Sequence, residues 1–139
     1  MVKLLGIDYG DARTGLAYSD DLGLIAIGAG CVKSYNPEKA ADEIVAKAKE
    51  WNIGLMVLGK PINMNGTEGP RAQACKDFAE MLKARTDIPV VMMDERRTTV
   101  QAHEILTETG VFGKKRKGVV DSLAAEIILQ TYMDKQKNI

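Results

Sequence analysis

Four acidic residues stand out because of where their neighbours place them: Asp8, Asp94, Glu95 and Asp121. Asp8 closes the apolar run 2–7, and Asp94 with Glu95 closes the apolar run 90–93. Asp121 leads the helical stripe Ala124, Ala125, Ile128, Leu129 and Tyr132, which puts it on the inward row of a last helix. Each also suits a plainer role. Asp favours the turn after a strand, a solvated strand end forms ion pairs worth ~0–1 kcal/mol, and a carboxylate in a first helical turn complements the helix dipole. A cap, however, does not require an inward position. Two carboxylates ~4 Å apart repel by about 4 kcal/mol at an effective dielectric of about 20, and a hard dication relieves that repulsion. Carboxylate oxygens without histidine or thiolate partners favour Mg2+ or Mn2+ over zinc. His103 is the only histidine, and Cys31 and Cys75 form no C-x-x-C pair, so a structural zinc site is not expected. Two such ions ~3.5–4 Å apart suit the hydrolysis of a phosphodiester.

The elements that must position these acids follow from the hydrophobic pattern. Residues 2–7 read as a buried strand, 10–15 as a turn, 16–19 as a second strand and 24–32 as a third, weakened by Gly28 and Gly30. Connections this short force antiparallel neighbours, since a parallel crossover needs about a dozen residues. Asn36-Pro37 then opens a helix, with Asn as cap and Pro in the first turn. Ala41, Ile44, Val45 and Ala48 recur at helical spacing until Asn52 and Gly54 stop it. Residues 53–58 are apolar on both faces, as in a covered parallel strand. A polar loop over 59–69 and an amphipathic helix over 70–84 follow, then the strand 90–93. Thr98 and Gln101 make a capping box for a helix that stops at Gly110. A loop over 113–118 leads to a last helix over 119–133. The expected architecture is α/β: a five-stranded mixed sheet, three antiparallel strands then two parallel, with helices on both faces. Its order of elements resembles the ribonuclease H-like class.

Composition narrows the partners. Residues 1–139 suit one domain, with 45% hydrophobic residues to build its core. Nineteen basic and nineteen acidic residues cancel, so any polyanion must be held by a local patch. Lys114, Lys115, Arg116 and Lys117 are the candidate for a phosphate-backbone contact, against the commoner role of a solvated loop. No aromatic residue interleaves them, so recognition of backbone and shape is expected. His103 and the methionines, Met92 and Met93 among them, read as structural. No apolar run approaches the ~20 residues of a membrane span, and no signal-peptide pattern opens the chain. A cytoplasmic protein with reduced thiols is expected.

Four segments carry a resemblance to one family: Gly6-Ile7-Asp8-Tyr9-Gly10 with Arg13-Thr14-Gly15; residues 63–69, Asn-Met-Asn-Gly-Thr-Glu-Gly; Asp94-Glu95-Arg96 with Thr98-Thr99; and Asp121-Ser122-Leu123-Ala124-Ala125. In this order they resemble the YqgF/RuvX family over nearly the whole chain. That family is similar to the Holliday-junction resolvase RuvC and shares its ribonuclease H-like fold. The resemblance implies a nuclease in which Asp8, Glu95 and Asp121 are the catalytic, metal-holding acids, with Asp94 in reserve for the middle place. It implies Arg13, Asn65, Thr67 and Arg71 on the substrate side, although Asn65-Gly66 also suits a turn and Thr67 a helix cap. It further implies maturation of the 5′ end of the 16S rRNA precursor, a ribosome-precursor partner and a 5′-phosphate product. The chain departs from the family pattern at Ala12, where a lysine is usual, and at Lys60 and Arg97, where leucines are usual.

Three other readings remain at this stage. One is a Holliday junction resolvase acting on branched DNA, which would require two subunits; monomer and homodimer are both open. Another is a non-catalytic RNA-binding factor in ribosome assembly or transcription, compatible with the neutral charge. An actin-like ATPase or sugar kinase would need a second lobe, and this chain has no P-loop motif.

Overall fold

The structure, a computed structural model, describes residues 2–95 and 113–137, the last stretch as backbone alone up to residue 121. The expected helix after Thr98, with His103, lies outside the described residues. Strands β1 (Lys3–Asp8), β2 (Arg13–Ser19) and β3 (Ala26–Lys33) come first. Helix α1 (Pro37–Glu50), strand β4 (Ile53–Pro61), helix α2 (Pro70–Lys83) and strand β5 (Val90–Glu95) follow, and helix α3 (Gly113–Lys137) ends the described chain. The five strands lie in the order β3-β2-β1-β4-β5. β1 pairs antiparallel with β2 and parallel with β4, so the sheet changes character at β1. β2–β3 is antiparallel and β4–β5 parallel. The mixed five-stranded sheet expected from the sequence is the one observed.

Local chemistry accounts for the best-defined boundary. The Asn36 side chain accepts hydrogen bonds from the Glu38 and Lys39 amides at 2.9 and 3.3 Å, satisfying donors that a helix start leaves free. Elsewhere tertiary pairing moves the ends. The expected turn 10–15 is shorter, because Gly15 pairs with Asp8 and β2 already begins at Arg13. β4 runs on through Pro61, which pairs with Glu95, so both acids of the 94–95 pair lie inside β5. The basic run 114–117 also needs correction: it lies in the first turns of α3 and not in a loop. Lysine and arginine are good helix formers, and the single Gly118 costs only about 1 kcal/mol. Among the described residues no helix is long and apolar enough to cross a membrane.

The sheet separates two apolar layers. Leu5, Ile7, Leu16, Met56 and Leu58 face α1 and α2, packing on Ile44, Phe78 and Leu82. Ala17, Val57 and Met93 pack with Ala125, Ile128, Leu129 and Met133 of α3 on the other face. Glycines set how closely α3 approaches. A Cβ on Gly6 would stand 2.7 Å from Leu129 Cβ and 2.9 Å from the Ala125 carbonyl oxygen. One on Gly59 would stand 2.5 Å from Ile128 Cδ1. Helix α3 therefore lies almost on the backbone of the central strands. Gly6→Ala must push the helix outward, since one contact is a backbone oxygen that no rotamer change removes. A loss of about 1–3 kcal/mol in urea unfolding is expected; unchanged stability would contradict this packing.

Candidate functional site

The acids meet where strands end. Asp8 is the last residue of β1 and Glu95 the last of β5. Side chains alternate along a strand. Gly6 faces α3, so Asp8, two residues on, faces the same side. Val91 and Met93 pack in the α3 layer, and Glu95 continues their row. Both carboxyl groups border one cleft of about 330 Å³, lined also by Tyr9, Gly10, Arg13, Pro61, Arg71 and Cys75.

The electrostatics of this cleft are unusual for a surface pocket. Glu95 Oε2 is buried and has no hydrogen-bond partner among the described residues. Burial, and secondarily the negative charge of Asp8, push the Glu95 carboxyl up to about 7 from its ordinary 4.5. Cys75 is pushed up to about 11, chiefly by burial; Arg71 draws it down while Asp8 and Glu95 raise it further. Its thiol is therefore neutral and no nucleophile. Arg71 is held firmly at the rim. Its guanidinium donates to the Tyr9 carbonyl at 2.6 Å and to Asp11 Oδ1 at 2.8 Å, and lies 5.4 Å from the Tyr9 ring centroid. The other partner of that ring is Phe78 of α2, stacked at 4.1 Å. Gly10 is required in the turn below, because a Cβ there would collide with the Arg13 carbonyl oxygen.

The remaining sequence candidates divide. Asp121 lies in α3, one turn ahead of Ala125. Met133 lies with Val2 and Leu4, and Ala125 and Leu129 cover Gly6, so α3 runs toward the Asp8 end of β1 as it is followed back. The backbone of residue 121 thus comes at the acid-bearing edge. Asp94 points to the opposite face, is largely exposed and pairs with Lys60 at 3.1 Å. Lys60 also meets Glu68 at 3.4 Å, and Glu68 pairs with Lys76, so this departure from the family pattern clamps the 62–69 loop. Arg13 and Arg71 are brought to the acids. Asn65 and Thr67 are not among the cleft residues; both are exposed and bond to each other, Thr67 Oγ1 donating to Asn65 Oδ1 at 2.6 Å. Residues 114–117 stand on the same helix as Asp121, at its start. Sequence reasoning missed Tyr9 and Cys75 as neighbours of the acids. Tyr9 follows Asp8 directly in the chain, whereas Cys75 is brought there by α2, which packs over β4.

The family model "RuvX: Holliday junction resolvase" matches residues 2–135. The chain belongs to the RuvX family. A protein of Halothermothrix orenii is 41% identical over 138 residues, covering 99% of both chains. One from Thermoanaerobacter pseudethanolicus is 42% identical over 138 residues with the same coverage. Both bear the name "Putative pre-16S rRNA nuclease". Among solved structures, the fowlpox virus Holliday junction resolvase aligns with a TM-score of 0.59 at 12% identity, covering 97% of this chain and 99% of its own. RuvC of T. thermophilus in complex with a Holliday junction substrate aligns with a TM-score of 0.55 at 15% identity, covering 99% and 96%. At these identities the structures establish a shared fold.

A raised carboxyl in the folded protein has a defined sign. Its contribution to stability is complete below 4.5 and is lost as pH rises through about 7. In buffer with a chelator, wild type should lose about 2 kcal/mol relative to Glu95→Gln between about pH 5 and about pH 8, after allowance for solvent screening. Parallel melting curves at the two pH values would contradict this environment.

Proposed function

We propose that this chain is a metal-dependent nuclease hydrolysing nucleic-acid phosphodiesters, and that its substrate is the 5′ end of the 16S rRNA precursor. The observation that carries the reading is the pair Asp8 and Glu95 at one cleft, with a buried carboxylate oxygen that no donor among the described residues satisfies. Among the described residues no three metal-ligating side chains form a cluster. Asp121 is the third ligand in this reading, supported by its helix, which leads its backbone to the same edge. The donor set is hard oxygen only, which fits Mg2+ or Mn2+. When bound, a pair of such ions supplies Lewis acidity toward water and the phosphodiester.

The chain's own residues do the rest. Asp8, Glu95 and Asp121 hold the ions, and their ligation keeps Glu95 ionised where it would otherwise take up a proton. Arg71, fixed by the Tyr9 carbonyl and Asp11, presents its guanidinium face to a phosphate at the cleft mouth; Arg13 stands beside it. Lys114, Lys115, Arg116 and Lys117 extend the contact along the backbone, and Asn65 and Thr67 order the loop that borders the substrate path. Water adds across the bond from phosphorus to the 3′ oxygen, leaving a 3′-hydroxyl and a 5′-phosphate. The whole of residues 1–139 acts as one ribonuclease H-like domain in the cytoplasm, on a ribosome precursor. Branched DNA is a second reading, favoured by the family description and by the junction bound to RuvC.

Precursor rRNA incubated with pure protein and Mg2+ or Mn2+ should be cut, and Asp8→Asn or Glu95→Gln should lower kcat on the order of 10²-fold or more with little change in RNA binding. Cleavage of a four-way DNA junction but not of the rRNA would favour the resolvase. Binding without cleavage by any form of the protein would make it an RNA-binding factor.

A further inference from the structure

Beside the acidic cleft lies a second one, of about 440 Å³, lined by Ala12, Arg13, Lys33, Ser34 and Tyr35. Arg13 lines both, so the two adjoin at this residue. Arg13 and Lys33 are directly opposed across β2 and β3, which puts both cations on one side of the sheet. Neither makes an ion pair with any acid among the described residues. Their charge is available to a ligand.

Tyr35 completes this surface and is 86% exposed. It occupies the position before the Asn36 cap, where an apolar side chain commonly packs on the fourth helical residue. That residue is Ala40, too small and too buried to receive a ring. The backbone is nonetheless pinned on both sides. The Ser34 amide donates to the Ala12 carbonyl at 3.0 Å, and Asn36 caps α1. The result is an aromatic face held open to solvent, next to two cations, one step from the acids. Aromatic rings flanked by basic side chains hold single-stranded nucleic acid by stacking on a base while the cations track the backbone.

We infer that Tyr35, with Arg13 and Lys33, is a stacking subsite for an unpaired nucleotide of the substrate strand adjoining the cleavage position. The inference rests on the nuclease reading for its place beside the scissile bond, and its binding test does not depend on cleavage. It gives the enzyme a preference for substrates with a single-stranded flank. Stacking reads the face of a base and tolerates any sequence, so shape and not sequence is selected.

The test is fluorescence anisotropy in a chelating buffer, using a labelled duplex with a five-nucleotide overhang and the same duplex blunt-ended, each made as RNA and as DNA. Wild type should bind the overhang form about 10-fold more tightly than the blunt one in at least one of the two chemistries. Tyr35→Ala should abolish that preference without altering the blunt-duplex Kd, Tyr35→Phe should keep it, and 2-aminopurine in the overhang should be quenched by wild type and Tyr35→Phe only. Equal binding of overhang and blunt forms by wild type, an unchanged preference in Tyr35→Ala, or a loss in Tyr35→Phe equal to that in Tyr35→Ala would overturn the inference. A Tyr35-dependent preference in a protein that cuts nothing would sink the nuclease reading and leave the subsite standing. Asp8-dependent cleavage with no Tyr35-dependent preference would do the reverse.

Discussion

Two carboxyl groups brought to one cleft, one of them largely buried, are the constraint on which this structure turns. Asp8 and Glu95 could have been spared their proximity by a slip of one residue in either strand, which would send a side chain to the other face. Instead the sheet's registers hold them on the same side, beneath α3, where Glu95 is costly to ionise and one of its oxygens lacks a donor among the described residues. Buried polar atoms are rarely left in that condition without a functional reason. Their cost is offset by the two apolar layers, whose packing does not involve the acids.

The sheet gives the acids their setting. β1 is antiparallel on one side and parallel on the other, and ligand sites in α/β sheets collect beyond the carboxyl ends of such strands. β1 and β5 flank β4 there, so their final carboxylates face one another across its end. Glycine at positions 6 and 59 allows α3 to lie close over this region, and α2 supplies Phe78 and Arg71 from the other side. The cleft itself is lined by the strand ends, the β1–β2 turn and α2.

How much of this could be read from the chain depended on how local each signal is. The α1 start was legible because Asn36 and Pro37 satisfy the helix end by themselves. The antiparallel pairing of the first three strands was legible from their short connections, but the side of the sheet on which β4 and β5 add was not. The choice between Asp94 and Glu95 was not, because Val90, Val91, Met92 and Met93 are apolar on both faces and do not say which side α3 covers. The helical state of 114–117 was hidden by the glycines that bracket it, which favour loops in isolation but yield to an extended helix. Tyr35 escaped notice because a ring beside a helix cap is ordinarily packed, and only the small Ala40 leaves it bare.

Isothermal titration of Mn2+ into the metal-free protein tests the shared-ion account most directly. If Asp8 and Glu95 hold the cation together, wild type binds it, and Asp8→Asn and Glu95→Gln each weaken binding by about 10-fold or more while Asp94→Asn leaves it unchanged. Wild-type affinity retained in both Asp8→Asn and Glu95→Gln would contradict it.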